Sequence, residues 1–325
     1  MKRLLKITGI VIVMLLLGVI GIGAYVKIGL PDVGDPPDLK VDVTPERVEH
    51  GRYLANHVAV CMDCHSTRDW SEYAGPPKGN VGAGGEYFGP EMGFPGKFYS
   101  RNITPGGLGS WTDGEIFRAI TTGVSKDGSA LFPVMPYANY GQMDKEDIYD
   151  IIAYLRSLPA VNNKIPTREP EFPFNFLINT IPKSANPGTR PFRSDMVLYG
   201  KYLTMTAACV ECHSQVDKGV IIPGTEFAGG RTFDLPGGTL TSANITPDAE
   251  TGIGNWDMAT FVQRFKQYSD SSYKSPKLGP TDMNTIMPWI MYAGMEKADL
   301  EAIYMYLQSL KPIKNPVVKY KKRAA

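Results

Sequence analysis

Cysteine and histidine are scarce in this chain, with four of each in 325 residues. All four cysteines fall into two identical frames, Cys61-Met-Asp-Cys64-His65 and Cys209-Val-Glu-Cys212-His213, so none remains for a disulfide. An excess of charge is also missing. The 34 Lys+Arg nearly cancel the 33 Asp+Glu, whereas a general nucleic-acid binder normally shows a basic surplus. Apolar runs of membrane length are absent beyond the first 26 residues, which excludes a polytopic membrane protein. Disorder is excluded as well, because 43% of residues are apolar and 21% charged. At roughly 100–200 residues per domain, the length suggests two domains.

The one long apolar run is Ile7 to Val26, preceded by Lys2, Arg3 and Lys6. Twenty residues at 1.5 Å rise give roughly 30 Å, the thickness of a hydrocarbon core. The positive-inside rule then places Met1 in the cytoplasm and the rest outside. A cleaved signal would have a shorter apolar region with an A-x-A-like site after it, and Gly21-Ile22-Gly23 is a poor version. The expectation is a retained single-pass anchor over 1–26 in the cytoplasmic membrane, with the body in the periplasm. The exported remainder carries 31 basic against 33 acidic residues.

An internal repeat organises that remainder. Gly51-Arg-Tyr-Leu54 before the first cysteine pair recurs as Gly200-Lys-Tyr-Leu203. Asn102-Ile-Thr-Pro105 recurs as Asn244-Ile-Thr-Pro247, Trp111 as Trp256, and Met135-Pro136-Tyr137 as Met287-Pro288-Trp289. The apolar stripe ending at Leu158 recurs in a stripe ending at Leu310, each closed by a proline. These matches predict an all-α body of two modules in tandem, at 45–160 and 196–313. A proline-bearing tether over 27–44 would reach on the order of 50 Å. The strap over 161–195 holds four phenylalanines, which a free linker would not need, so it is expected to pack on both modules. The residues 314–325 read as a solvated basic tail, with attraction to anionic headgroups as the alternative. The stretch 75–96, rich in Gly and Pro, reads as loop.

C-x-x-C-H is the attachment signature of c-type haem. Two thiols on one helical turn add to the two vinyl groups, and the adjacent His lies under the ring to ligate iron. A zinc site needs four convergent ligands, and a His directly after the second Cys is badly placed for that. A thioredoxin-like pair expects a βαβ context that is missing. The cofactor expectation is two covalently attached haem c groups, held by Cys61 and Cys64 and by Cys209 and Cys212, with His65 and His213 as axial ligands.

The sixth ligand must come from elsewhere. His50 and His57 lie only in the first module and read as local polar residues. Met135 and Met287 recur in register and are each followed by Pro, so they are the preferred ligands; Met143 and Met295, also in register, are the fallback. His/Met ligation fills both axial positions and raises the reduction potential. Arg101, Asn102 and Trp111 in one module, and Asn244 and Trp256 in the other, are candidates for a propionate-binding shell. For each Trp, core packing is an equal reading.

These motifs resemble the cytochrome c subunits of membrane-bound alcohol, aldehyde and gluconate dehydrogenases, and other tandem-module dihaem cytochromes, over about 45–160 and 196–312. The resemblance implies class I-like cytochrome c domains with a haem cleft between packed helices. It departs from those subunits in carrying two modules where they usually have three, and in an anchor at the N-terminal end. Module two also diverges: Asp127–Leu131 has no match in Ser271–Ile286, which carries Tyr273, Lys274, Pro276 and Lys277 instead. The expected function is a dihaem electron carrier between a dehydrogenase or quinol-side donor and an oxidase or other terminal acceptor. The expectation is that it binds no small-molecule substrate and acts as an electron-transfer protein or subunit rather than as an enzyme on its own. A dihaem peroxidase and a subunit of a respiratory complex are the alternatives.

Overall fold

The computed structural model describes residues 1–270 and 272–323. Helix α1 (Lys2–Ala24) continues through a wider turn at Tyr25–Gly29. Together they form one helix long and apolar enough to cross a membrane, the one such helix among the described residues. The first half then contains α2 (Pro45–Tyr53), α3 (Cys61–Cys64), β1 (Tyr87–Phe88), β2 (Gly96–Tyr99), α4 (Pro105–Leu108), α5 (Asp113–Thr122), α6 (Tyr137–Tyr140) and α7 (Lys145–Ser157). The strap carries β3 (Glu169–Pro170) and α8 (Phe174–Leu177). The second half contains α9 (Met196–Thr206), α10 (Cys209–Cys212), β4 (Val216–Asp217), β5 (Val220–Ile221), β6 (Thr232–Leu235), β7 (Gly238–Thr241), α11 (Met258–Lys266), α12 (Trp289–Tyr292), α13 (Lys297–Ser309) and β8 (Tyr320–Lys322).

Local chemistry sets these boundaries. Thr44 accepts from the Arg47 N–H, and Pro45 fills the first helical position, where its missing N–H costs nothing. Thr112 and Glu115 form a capping box on α5. Asp144, Asp195 and Asp257 cap α7, α9 and α11 through their carboxylates. Helix α2 passes into a wider turn at Leu54–Val58 before α3.

In each half the first helix crosses the last at contact distance. Gly51 of α2 lies against the Asp150 carbonyl, where a Cβ would come to 1.8 Å, and Gly200 of α9 lies against the Ala302 carbonyl, where a Cβ would come to 1.9 Å. Those distances explain the glycine in both repeat motifs. Ile148, Ile151, Ile152 and Leu155 of α7 are buried, as are Leu300, Ile303 and Leu307 of α13. The two halves share one continuous core, since Leu54, Met62 and Ile152 belong to the same buried cluster as Leu203, Met295 and Leu307.

Sheets amend the all-α expectation. β1 lies inside the stretch read as loop and β2 begins at its last residue; with β3 of the strap they form an antiparallel ribbon. Its apolar face packs Phe98 in a parallel stack on Phe132 (3.8 Å), with Phe174 of the strap edge-on to both. The residues read as a solvated tail also differ. Tyr320–Lys322 add a third strand to β6 and β7, and the Arg323 N–H donates to the Gly237 carbonyl. Their backbone groups are satisfied by a sheet edge, while Lys321 and Lys322 keep their ammonium groups in water. Ala324 and Ala325 lie outside the described residues.

The tether has no regular structure but runs along the first half. Val41 is buried and donates its N–H to the Asp113 carboxylate (2.8 Å), and Leu39 packs on the core. The strap touches both halves: the Asn186 and Gly188 N–H groups donate to the Gly141 and Gln142 carbonyls, and Arg193 pairs with Glu296 (2.6 Å).

Candidate functional site

The two C-x-x-C-H segments are built alike. Each is a single helical turn, α3 or α10, closed by the His N–H donating to the first cysteine's carbonyl. Each is preceded by a residue in left-handed backbone, Val60 at φ 47° and Ala208 at φ 51°. That conformation disfavours any L-residue and a β-branched valine most, so its repetition in both halves marks a constraint on the turn. All four cysteines are free thiols, half-buried, with two on each turn.

Each histidine is held by a backbone carbonyl. His65 Nδ1 lies 2.7 Å from the Arg101 carbonyl oxygen, and His213 Nδ1 lies 2.7 Å from that of Ala243. A carbonyl only accepts, so Nδ1 carries the proton and Nε2 keeps its lone pair for a ligand. Burial lowers both imidazole pKa values, with the carbonyl bond opposing it. The spacing in sequence did not reveal these carbonyls, although the signal was present: both residues stand immediately before the repeated Asn-Ile-Thr-Pro.

That motif holds the carbonyls in place. Asn102 Oδ1 accepts from the Thr104 N–H and hydroxyl, and its amide donates to the Val161 carbonyl. Asn244 does the same with Thr246 and the Ile313 carbonyl. Both amides thus give a donor to loop geometry, and Asn102 keeps a second amide N–H that no protein group among the described residues accepts. Trp111 and Trp256 pack partly buried against the core, and neither indole N–H has a protein partner among the described residues. The Arg101 side chain is exposed and lies near the partly buried Arg168 of the strap, whose pKa falls first through burial and then through repulsion from Arg101.

The methionine loops also correspond. Met135 and Met287 are half-buried against the core, and each carbonyl accepts from the N–H two residues on (2.8 Å in both). Tyr140, just after the first loop, donates to the Ala59 carbonyl (2.9 Å), and Tyr292 donates to the Ala207 carbonyl (2.8 Å). Each loop is thereby tied to the chain entering its own C-x-x-C-H turn. Met143 and Met295 are fully buried in the shared core, so the fallback pair packs as core side chains.

A pseudo-twofold contact joins the halves. The Tyr53 hydroxyl donates to Asp299 (2.7 Å), and its equivalent Tyr202 donates to Asp147 (2.5 Å). Each hydroxyl also accepts an N–H at the start of the facing helix, from Glu296 or Asp144. Arg190 pairs with Asp147 at 2.5 Å, whereas Arg193 stands 3.6 Å from Asp299, whose Oδ1 has no hydrogen bond. His57 is less local than expected: its Nδ1 lies 2.9 Å from the Met291 carbonyl across the contact, against Gly294. His50 pairs with Asp150 at 2.8 Å.

The segment of module two that departs from the repeat forms a second contact. Ser271 lies outside the described residues. Lys277 pairs with Glu72 (2.6 Å), and the Tyr73 N–H donates to the Pro276 carbonyl. Asn284 accepts from the Ala74 N–H and donates to the Trp70 and Glu72 carbonyls. Its Oδ1 also orders Thr285, whose hydroxyl accepts from the Met287 N–H (3.0 Å). Behind Trp70, Arg68 stacks on the indole (4.1 Å) and pairs with buried Asp63 (2.9 Å). Burial pushes the Asp63 carboxyl up to about 6, against the pull of Arg68.

The donor set fits a covalently held haem in each half: two free thiols on one turn, and an imidazole whose Nδ1 is held by a carbonyl and whose Nε2 is available. Comparisons with known proteins agree with this. No family model matches the chain. The cytochrome c subunit of the quinone-dependent alcohol dehydrogenase of Gluconacetobacter polyoxogenes is 28% identical over 294 residues, covering 84% of this chain and 58% of that protein. The fructose dehydrogenase cytochrome subunit of Gluconobacter japonicus is 28% identical, covering 81% and 52%. A protein named as a dihaem c-type cytochrome from Cereibacter sphaeroides is 29% identical, covering 58% and 63%. This chain thus spans little more than half the length of the dehydrogenase subunits it matches. Over more than four-fifths of its own length it is similar to the cytochrome subunits of alcohol and fructose dehydrogenases.

Proposed function

We propose that this protein is a membrane-anchored dihaem c-type cytochrome that moves electrons from a dehydrogenase or quinol-side donor to a terminal acceptor. The observation that carries the reading is the duplicated histidine geometry, with Nδ1 of His65 and of His213 each 2.7 Å from a carbonyl in equivalent loops. In this reading Cys61 and Cys64, and Cys209 and Cys212, hold the two haems, and His65 with Met135, and His213 with Met287, are the axial ligands. The haem iron supplies the one-electron chemistry. The chain's own residues do the rest. Arg101 and Ala243 orient the imidazoles through their carbonyls. The Met-Pro loops are tied to the C-x-x-C-H turns by Tyr140 and Tyr292. Arg101 with Arg168, Trp111 and Trp256 offer propionate donors.

The domain assignment follows: a spanning helix in the cytoplasmic membrane, two cytochrome units in the periplasm joined by the strap, and a last strand that belongs to the second unit. That the dehydrogenase relatives are named as subunits favours assembly with a dehydrogenase, so a subunit of a larger complex is the second reading. Purification in mild detergent distinguishes the two: a co-purifying dehydrogenase supports the subunit, and a monodisperse lone chain supports the tethered carrier. Alkaline pyridine haem quantification tests the cofactor content. Two haems per chain are expected, falling to one in the paired Cys209→Ala/Cys212→Ala variant. A wild-type chain holding one haem overturns the reading.

A further inference from the structure

The strap meets the base of the apolar helix. The turn Tyr25–Gly29 packs against both α8 and Ile178–Thr180. The Asn179 amide donates to the Val26 carbonyl (3.3 Å), and the Lys27 ammonium lies 5.9 Å from the centre of the Phe176 ring. The strap's side chains divide sharply here. Phe174 is edge-on to Phe98 and Phe132, and Ile178 is 2% exposed, so this face is satisfied by the first half. On the other face Phe172 and Phe176 pack edge-to-face at 6.3 Å, with Phe172 80% and Leu177 51% exposed. Tyr25 and Ile28 beside them are also exposed. Large apolar side chains clustered in this way mark an interaction surface.

We propose that Phe172, Phe176 and Leu177, with Tyr25 and Ile28, insert into the headgroup region of the lipid bilayer and give the protein a second membrane contact. This rests on the reading that α1 spans the bilayer. The occupant is lipid because of depth. The apolar run Ile7 to Val26 is roughly 30 Å long, so Val26 lies where the hydrocarbon ends. A strap bonded to the Val26 carbonyl lies at that same level. Aromatic rings with a neighbouring lysine are the side chains that favour this interface, the rings seated among the headgroups and the ammonium reaching water. The consequence is orientation. A free tether over 27–44 would let the redox units wander on the order of 50 Å, whereas a seated strap holds one face of the first half toward the membrane.

The test uses the full-length, haem-loaded protein in vesicles of phosphatidylethanolamine and phosphatidylglycerol. The native cysteines are consumed by haem in this reading, so one added cysteine takes a nitroxide label specifically. Labels at Ile12→Cys in α1, Asn175→Cys in α8 and Val220→Cys in the second half are compared by collision with oxygen and with a water-soluble nickel chelate. The Asn175 label is expected to favour oxygen, as at Ile12, and to lose that preference when Phe172→Ser and Leu177→Ser are added. An Asn175 label as open to nickel as the one at Val220, with Ile12 in lipid, overturns the docking surface and leaves the anchor standing. An Asn175 label that keeps its oxygen preference in the double-serine background overturns the assignment to these side chains. An Ile12 label in water removes the anchor and the docking surface together.

Discussion

At the residue scale, the weight of the account falls on a few side chains whose partners come from distant parts of the sequence. Met135→His and Met287→His should each lower one reduction potential and leave the other nearly unchanged, because imidazole in place of thioether favours the oxidised iron. A spectroelectrochemical titration that finds both potentials unmoved contradicts the ligand assignment. Gly51→Ala and Gly200→Ala place a methyl within 2 Å of a carbonyl oxygen. Each should cost about 1–3 kcal/mol or more of stability in urea unfolding, the range for overpacking a tight contact. Titration at the contact between the halves has a definite sign. Burial raises the Asp299 carboxyl above its ordinary 3.8, and Glu296 adds to this, while the Tyr53 and Tyr199 hydroxyls and Arg193 pull it down. A carboxyl raised on folding contributes stability that is full below the unfolded pKa and is lost as pH rises through the folded value. Asp299→Asn should therefore flatten the fall in urea midpoint across the carboxylate range. An unchanged slope would show that Asp299 does not carry it.

At the scale of elements, the sequence repeat made the framework legible. The last helix of each half, on the apolar stripe before its proline, and the C-x-x-C-H turns lie where the matched motifs put them. What was not legible depends on proximity in space. The glycine and tyrosine of Gly51-Arg-Tyr-Leu54 gave no sign that one seats a helix crossing while the other reaches across to the second half. The Asn-Ile-Thr-Pro repeat read as a possible propionate shell because an asparagine amide is a plausible donor; its bonds within the loop that orients the histidine depend on contacts the sequence did not show. The tail read as solvated because Lys319, Lys321, Lys322 and Arg323 crowd its end, yet its backbone completes a sheet. The segment that departed from the repeat, around Asn284, is a clasp between the post-haem loop of one half and the methionine loop of the other. Asn284→Ala should weaken that clasp by about 1–3 kcal/mol, the cost of leaving buried backbone groups unpaired. It should also shift the potential of the haem served by Met287 more than that of its neighbour. A variant that loses stability with both potentials unchanged would make the clasp structural only.

At the scale of the whole molecule, the two halves share one core and are joined by reciprocal tyrosine–aspartate bonds. Tyr53→Phe and Tyr202→Phe each remove a hydrogen bond to a carboxylate, worth about 1.5–3 kcal/mol, and unfolding should stay a single transition in wild type. Separation into two transitions in the double variant would show that these bonds couple the halves. The central claim is that both axial positions of two haems are filled, which suits electron transfer and leaves no place for substrate. The most direct measurement is the strength of the methionine-to-ferric-iron charge-transfer band of the oxidised protein, taken relative to its haem content. The account predicts two haems per chain and a band equal to two methionine-ligated irons. A single haem, or a stable high-spin fraction with the band halved or missing, would contradict it.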